Sequence, residues 1–130
     1  MDPTEWDWTR PIFDHVHLRV ADLAHSKAFY ATVLEPLGIP LLLDTGEAAQ
    51  FANLAVSADG PVSERVHLAF MAGSREQVDA FHRAGIDAGY TDNGAPGERP
   101  YGPPVMTYYA AYLLDPDGNN VEAVHREPRS

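Results

Sequence analysis

Two stretches of alternating polarity, each carrying a histidine and each leading into a helix-like segment at the same spacing, constrain this chain more than any other feature. In Phe13 to Val20 (FDHVHLRV), Val16, Leu18 and Val20 fall on one face and His15, His17 and Arg19 on the other, the period-two pattern of a strand with one buried side. Arg65 to Met71 (RVHLAFM) repeats it, with Val66, Leu68 and Phe70 opposite His67, Ala69 and Met71. Phe29 follows His15 by fourteen residues and Phe81 follows His67 by the same fourteen, within Ala28-Phe29-Tyr30 and Ala80-Phe81-His82. Two like units, each with a histidine on the polar face of its first strand, predict a pseudo-symmetric pair. A competing register aligns Val16-His17-Leu18 with Val66-His67-Leu68 and would select His17. Strand-to-helix spacing constrains position better than a tripeptide does, which favours His15.

The remaining elements follow from local chemistry. Asp22 is a suitable N-cap for a helix from Leu23 to about Leu34, where Phe29 with Val33 and Tyr30 with Leu34 share a face, and Pro36 and Gly38 stop it. Pro40 to Asp44 and Ala48 to Ser57 read as two strands joined by a turn at Gly46. After the Asp59-Gly60-Pro61 break, Ser74-Arg75-Glu76-Gln77 forms a capping box that opens a second helix, with Gly85 expected to end it. Ile86 to Tyr90 is expected to form a short strand, and Asn93 to Pro104 a Gly- and Pro-rich loop long enough to act as a lid. Met106 to Leu114 and Asn120 to His125 read as strands flanking Asp115-Pro116-Asp117-Gly118, whose Pro and Gly fit a type I turn.

Composition narrows the function classes. With 130 residues and 45% hydrophobic content the chain can bury a real core, and no apolar run reaches membrane-spanning length. The absence of cysteine excludes disulfides, thiolate ligands and cysteine nucleophiles, and makes a cytoplasmic location the default expectation. A net charge of −10 argues against nucleic-acid or anionic-membrane partners. Met1 to Arg10 is acidic and carries Trp6 and Trp8, unlike a signal peptide.

Asp14-His15-Val16 leading into Arg19-Val20-Ala21-Asp22-Leu23, then Ser26 to Tyr30, His67-Leu68-Ala69-Phe70 and the closing Asp115-Pro116-Asp117-Gly118-Asn119-Asn120-Val121-Glu122 together resemble the vicinal oxygen chelate superfamily. That group includes glyoxalase I, fosfomycin-resistance enzymes, extradiol dioxygenases and bleomycin-binding proteins. The resemblance runs from about residue 13 to 125. It implies an α+β fold: two βαβββ modules, about 13–57 and 65–126, forming a cup-shaped mixed sheet with helices outside. An arm, 1–12, would precede the single domain, 13–126. It further implies one divalent metal ion held by His15, His67 and Glu122, a small-molecule substrate, and a cup completed in a homodimer, sometimes by module exchange.

Strand periodicity supports that ligand set independently, since Glu122 alternates with Val121 and Ala123 and so can share the cup face with the histidines. Two imidazoles and a carboxylate leave coordination positions open for a substrate with adjacent oxygens, and suit Fe, Mn, Co, Ni or Zn alike. His17 is a candidate acid/base or cup-lining residue, and Tyr112 a candidate catalytic one. Tyr108, Arg99 and Tyr101 are candidate substrate contacts. His25 and His82, on helices, read as surface residues, and His125, near the end, as incidental.

Departures from the resemblance limit the activity. The glyoxalase I glutamate late in the first module is missing, since Gln50 to Ser57 contains no acid and only Gln50 or Asn53 has reach. The dioxygenase histidine upstream of Tyr112 is replaced by Pro103-Pro104-Val105. No basic cluster is visible near the cup, which leaves thiol transfer to fosfomycin without support. The expectation is a metal-dependent lyase, isomerase or dioxygenase; the alternative is a metal-free protein that sequesters a small molecule by aromatic stacking.

Overall fold

The computed structural model describes residues 1–129. It contains two four-stranded sheets with one helix each. Strands β1 (Val16–Arg19), β2 (Leu41–Asp44), β3 (Ala48–Phe51) and β4 (Leu54–Ser57) form the first sheet in the order β1-β4-β3-β2. Strands β5 (His67–Met71), β6 (Thr91–Glu98), β7 (Tyr109–Leu114) and β8 (Asn120–His125) form the second in the order β5-β8-β7-β6. In both, the first strand lies parallel to the last and the other pairings are antiparallel. The same topology occurs twice, so the fold is α+β with two βαβββ modules, and neither sheet closes into a barrel.

Helix α1 (Leu23–Leu34) starts at Asp22, whose carboxylate accepts from the His25 amide at 3.0 Å. Helix α2 (Arg75–Asp87) starts at Ser74, whose hydroxyl accepts from the Gln77 amide at 3.1 Å, while Gln77 Oε1 accepts from the Gly73 amide. These two caps lie seven residues after His15 and seven after His67, so the strand-to-helix register matches His15, not His17, with His67. Ser26, Phe29, Tyr30, Val33 and Leu34 of α1, and Val78, Phe81 and Gly85 of α2, are buried at helical spacing. They pack on Leu18, Phe51, Val56, Leu113 and Val121 from the inner faces of the sheets. Phe29 sits edge-on to Tyr30 and to Tyr90, at centroid distances of 4.9 and 4.8 Å.

Three expectations for the second helix and its neighbours need correction. Gly85 does not end α2, which continues to Asp87 with Gly89 at φ +88° beyond it. Gly85 is there for packing, because a Cβ at that position would meet Leu113 Cδ1 at 2.4 Å. Ile86 to Tyr90 is therefore helix end and turn, not strand. The first part of the supposed Asn93–Pro104 lid is strand β6, paired with β7 through two register irregularities around Gly94 and Gly97.

In the first module, Ala48 to Ser57 is not one strand but the hairpin β3–β4, with Ala52 at φ +49° in its turn. At Gly94, φ is +152° and a Cβ would lie 2.7 Å from the Tyr112 ring. Gly94→Ala is accordingly expected to displace that ring and to lower stability by about 1–3 kcal/mol, read as a shift in the urea midpoint.

The turn after β7 locks the modules together. Asp115, 5% exposed, accepts from the Tyr30 hydroxyl at 2.7 Å, from the amides of Asp117 and Asn119 at 2.9 Å each, and from Asn119 Nδ2 at 3.1 Å. Asp117 accepts from the Ala21 amide at the entrance to α1. One helix of the first module and the turn that aims β8 in the second are thus fastened at a buried carboxylate.

Candidate metal and substrate site

β5 and β8 run parallel, with Ala69 opposite Glu122 and His67 opposite Asn120, while Tyr112 of β7 lies opposite Glu122 on its other side. His67, Glu122 and Tyr112 therefore project from the face of the second sheet turned away from the helices. His67 Nε2 lies 2.6 Å from Glu122 Oε1, and the Tyr108 hydroxyl donates a short hydrogen bond to Glu122 Oε2. Glu122 is 0% exposed, so its charge has been taken out of water and is held by these two neighbours. The His67 side chain remains about half exposed.

Burial, reinforced by the hydrogen bond to Glu122 and its charge, pushes the Tyr108 phenol well above its ordinary value. Tyr108 thus stays a donor to Glu122 throughout the neutral range. A group whose folded-state pKa is raised contributes stability that is intact below the unfolded value of about 10 and is lost as pH rises through the folded one. Tyr108→Phe removes that donor from a buried carboxylate. The expected cost is about 1–3 kcal/mol at neutral pH, read as a shift in the urea midpoint.

Tyr112 lies near His67, at a centroid distance of 6.4 Å, and burial followed by the Glu122 charge raises its phenol. Arg99 Cζ stacks 5.5 Å from the Tyr112 ring centroid, and Tyr101 stands edge-on to Tyr108 at 5.4 Å. A cavity of about 410 Å³ is lined by His67, Asn93, Arg99, Tyr101, Tyr112 and Asn120, among others. Of the sequence-designated residues, His67, Glu122, Tyr108, Tyr112, Arg99 and Tyr101 are therefore brought together.

His15 and His17 lie apart from them, on the first module. The His15 side chain is 65% exposed, and its Nδ1 contacts only Asp14 Oδ2, at 2.9 Å. Within one chain, no group of three His, Cys, Asp or Glu side chains among the described residues converges on a point that could hold a metal. His17 Nε2 is 2.6 Å from Ser57 Oγ, and that hydroxyl donates to Asp59 Oδ1 at 2.6 Å. Because the serine's one proton goes to Asp59, its oxygen accepts from His17 Nε2–H, which leaves Nδ1 the acceptor in the neutral ring. The Ser57 hydroxyl, aided by Arg19, holds Asp59 below the ordinary carboxylate value. Gln50 and Asn53, the possible substitutes for a first-module acid, donate their amide groups to the Ala52 and Asp14 carbonyls.

Sequence reasoning missed Arg126 and did not anticipate the hydrogen bond from Tyr108 to Glu122. Arg126 stacks on Tyr108 and on Trp8. The signal was present: counting outward from the Asp115–Gly118 turn, the β7–β8 ladder that pairs Tyr112 with Glu122 brings Tyr108 opposite Arg126. The cup face is thus not devoid of basic groups. His125 is not incidental either, since its Nδ1 bonds the Ala72 carbonyl at 2.9 Å and its Nε2 lies 3.0 Å from Glu127.

The sequence profile of the Glyoxalase/Bleomycin resistance protein/Dioxygenase superfamily matches residues 12–123. The crystal structure of a glyoxalase/bleomycin resistance protein from Albidiferax ferrireducens T118 is similar at 38% identity and a TM-score of 0.74, covering 88% of this chain and 98% of that one. A lactoylglutathione lyase from Agrobacterium tumefaciens shares the fold at 22% identity and a TM-score of 0.64, with coverage of 89% and 94%. So does a putative glyoxalase from Bacillus halodurans, at 24% identity, a TM-score of 0.66 and coverage of 91% and 98%. No curated protein matches the chain.

Proposed function

Since the chain belongs to the glyoxalase/bleomycin resistance protein/dioxygenase superfamily, we propose that it is a divalent-metal-dependent enzyme acting on a small molecule with vicinal oxygens. His67 and Glu122 of one copy and His15 of a second would be the ligands. The observation that carries this reading is the His67–Glu122 pair: an imidazole nitrogen 2.6 Å from a fully buried carboxylate on the neighbouring strand. The donor set fits such an ion. Two imidazoles and one carboxylate satisfy Fe, Mn, Co, Ni or Zn and leave positions open for substrate, and Tyr108 supplies the outer hydrogen bond that orients a ligating carboxylate.

A second copy would complete the site, because His15 is exposed and joins no metal-binding group with the pair within one chain, and apolar surface is exposed beside it and at the far edge of its sheet. Ile12 is 65% and Phe13 71% exposed, and the edge strand β2 shows Leu42 at 65% and Leu43 at 54%. Such surface suits burial against another chain.

When bound, the metal would act as a Lewis acid toward the paired oxygens. The protein's own groups would do the rest. Tyr108 holds Glu122 in place, Tyr112 and Arg99 line the approach to His67, and His17 presents Nδ1 as a proton acceptor. The first module's lack of an acid separates this site from glyoxalase I, and the three residues Pro103-Pro104-Val105 separate it from extradiol dioxygenases. The aromatic surface of Tyr101 and Tyr108 also suits the alternative, metal-free sequestration. Elemental analysis of protein purified without chelator decides between them. The proposal expects near-stoichiometric metal in wild type and almost none in His67→Ala, whereas equally low metal in both would leave sequestration.

A further inference from the structure

Arg126 has no ion pair among the described residues. It follows β8 on the same strand face as Glu122, and its guanidinium carbon lies 4.8 Å from the Tyr108 ring centroid and 4.7 Å from that of Trp8. Packing against these two rings restrains the group and leaves its N–H groups for polar contact. Its Nη1 is buried and has no hydrogen-bond partner. Among the described residues no carboxylate pairs with it: Arg19, Lys27, Arg75, Arg129 and His125 take Asp59, Asp44, Glu98 and Glu127, and Glu127 is shared between Arg75 and His125. Arg10, Arg65, Arg83 and Arg99 also lack an ion pair among the described residues, but of these Arg126 alone has a buried nitrogen without a partner, and that combination suits an anion from outside.

The surroundings suit one. A cavity of about 340 Å³ is bounded by Trp8, Thr9, Met71, Val124, His125 and Arg126, among others. Met71 and Val124 face each other across β5 and β8, one pleat beyond Ala69 and Glu122 on the same sheet face. Tyr108 measures the separation, since its hydroxyl touches Glu122 while its ring carries Arg126. A ligand reaching from the His67–Glu122 pair to Arg126 therefore needs to span little more than one tyrosine side chain.

We propose that Arg126, packed against Trp8 and Tyr108, binds a carboxylate of the substrate, so that the cup takes a small organic acid whose other end presents its paired oxygens to His67 and Glu122. This rests on the metalloenzyme reading for the role of the second end only; the carboxylate site stands on Arg126 itself. The planar fork matches a carboxylate in a bidentate manner, and Trp8 makes the N-terminal arm part of the binding wall.

The test is calorimetric titration of the full chain, metal-free and Zn²⁺-loaded, with malate and with lactate. Both probes carry a hydroxy-carboxylate end, and only malate carries a second carboxylate. Wild type is expected to bind malate at least about tenfold more tightly than lactate, the effect of one charge-assisted pair. Arg126→Gln should abolish that preference, and Arg126→Lys, which keeps the charge but not the fork, should retain a smaller preference. Equal binding of the two acids by wild type, or an undiminished malate preference in both variants, overturns the proposal. The metal-free arm separates the two readings. Malate preference that depends on Arg126 in a protein that takes up no metal upholds the carboxylate site and sinks the metalloenzyme. Metal uptake without malate preference does the reverse.

Discussion

A Glu122→Gln protein is expected to fold normally and to bind divalent metal at least about 100-fold more weakly than wild type. The bound on affinity follows because disturbing groups that merely orient a ligand already costs about 10–100-fold, and here the ligand's charge itself is removed. The fold is expected to survive because glutamine is nearly isosteric and can satisfy both neighbours. Its carbonyl oxygen accepts from the Tyr108 hydroxyl, and its amide donates to His67 Nε2 in the Nδ1–H tautomer, replacing the two contacts Glu122 now makes. Without metal, the variant should be as stable as wild type or more so, since a fully buried charge has been exchanged for a neutral group. Equilibrium dialysis against Zn²⁺, Ni²⁺, Co²⁺ or Mn²⁺ reads the affinity, and urea denaturation reads the fold. Unchanged metal affinity in a folded variant would remove Glu122 from the ligand set.

Asp115→Ala should have the largest effect on stability, about 3–5 kcal/mol, a large fraction of the roughly 5–15 kcal/mol that domains possess. The carboxylate accepts four hydrogen bonds, and two of the donor residues, Tyr30 and Asn119, are 0% exposed. Truncation leaves those donors without partners and without access to water. At a urea dependence of about 1–3 kcal/mol per molar, the midpoint falls by at least about 1 M. Asp115→Asn, which keeps one acceptor oxygen, should lose less. Metal binding is expected to weaken in step with stability, because the turn that Asp115 holds sets the register from which Glu122 is aimed. A midpoint within experimental error of wild type would show that the buried junction between the modules is dispensable.

What could be read in the sequence, and what could not, divides along physical lines. Alternating strands with one greasy side announce themselves, and the matched spacing from His15 and His67 to their helices carried the two-module architecture. The β3–β4 hairpin was hidden because its turn, Ala52-Asn53, contains neither Gly nor Pro, and Ala52 adopts positive φ only through tertiary context. β6 was hidden for the opposite reason. Gly94, Pro96 and Gly97 read as loop residues, yet they are irregularities in a strand, and Gly94 is required where the Tyr112 ring presses on the backbone. Gly85 misled because packing against Leu113, not helix termination, put it there.

At the site, residue types gave the His67–Glu122 pair but not the environment that holds it. Tyr108 read as a substrate contact, whereas its hydroxyl is committed to Glu122. Its pairing with Arg126 requires a strand register, and the contact of Trp8 with Arg126 depends on the path of an arm whose own local pattern has no periodicity. The proposed convergence of His15 with the pair is likewise not a property of one chain's sequence or of one chain's fold.

That convergence is tested most directly by complementation. His15→Ala and Glu122→Gln chains, each prepared alone, should carry almost no metal. Co-expressed and assembled at random, they should recover about one quarter of the wild-type content, because half of the two-fold symmetric dimers would be mixed and each mixed dimer would keep one intact site of two. A mixture as empty as either variant alone, beside a wild type that is full, would contradict a site built from His15 of one copy and His67 and Glu122 of another.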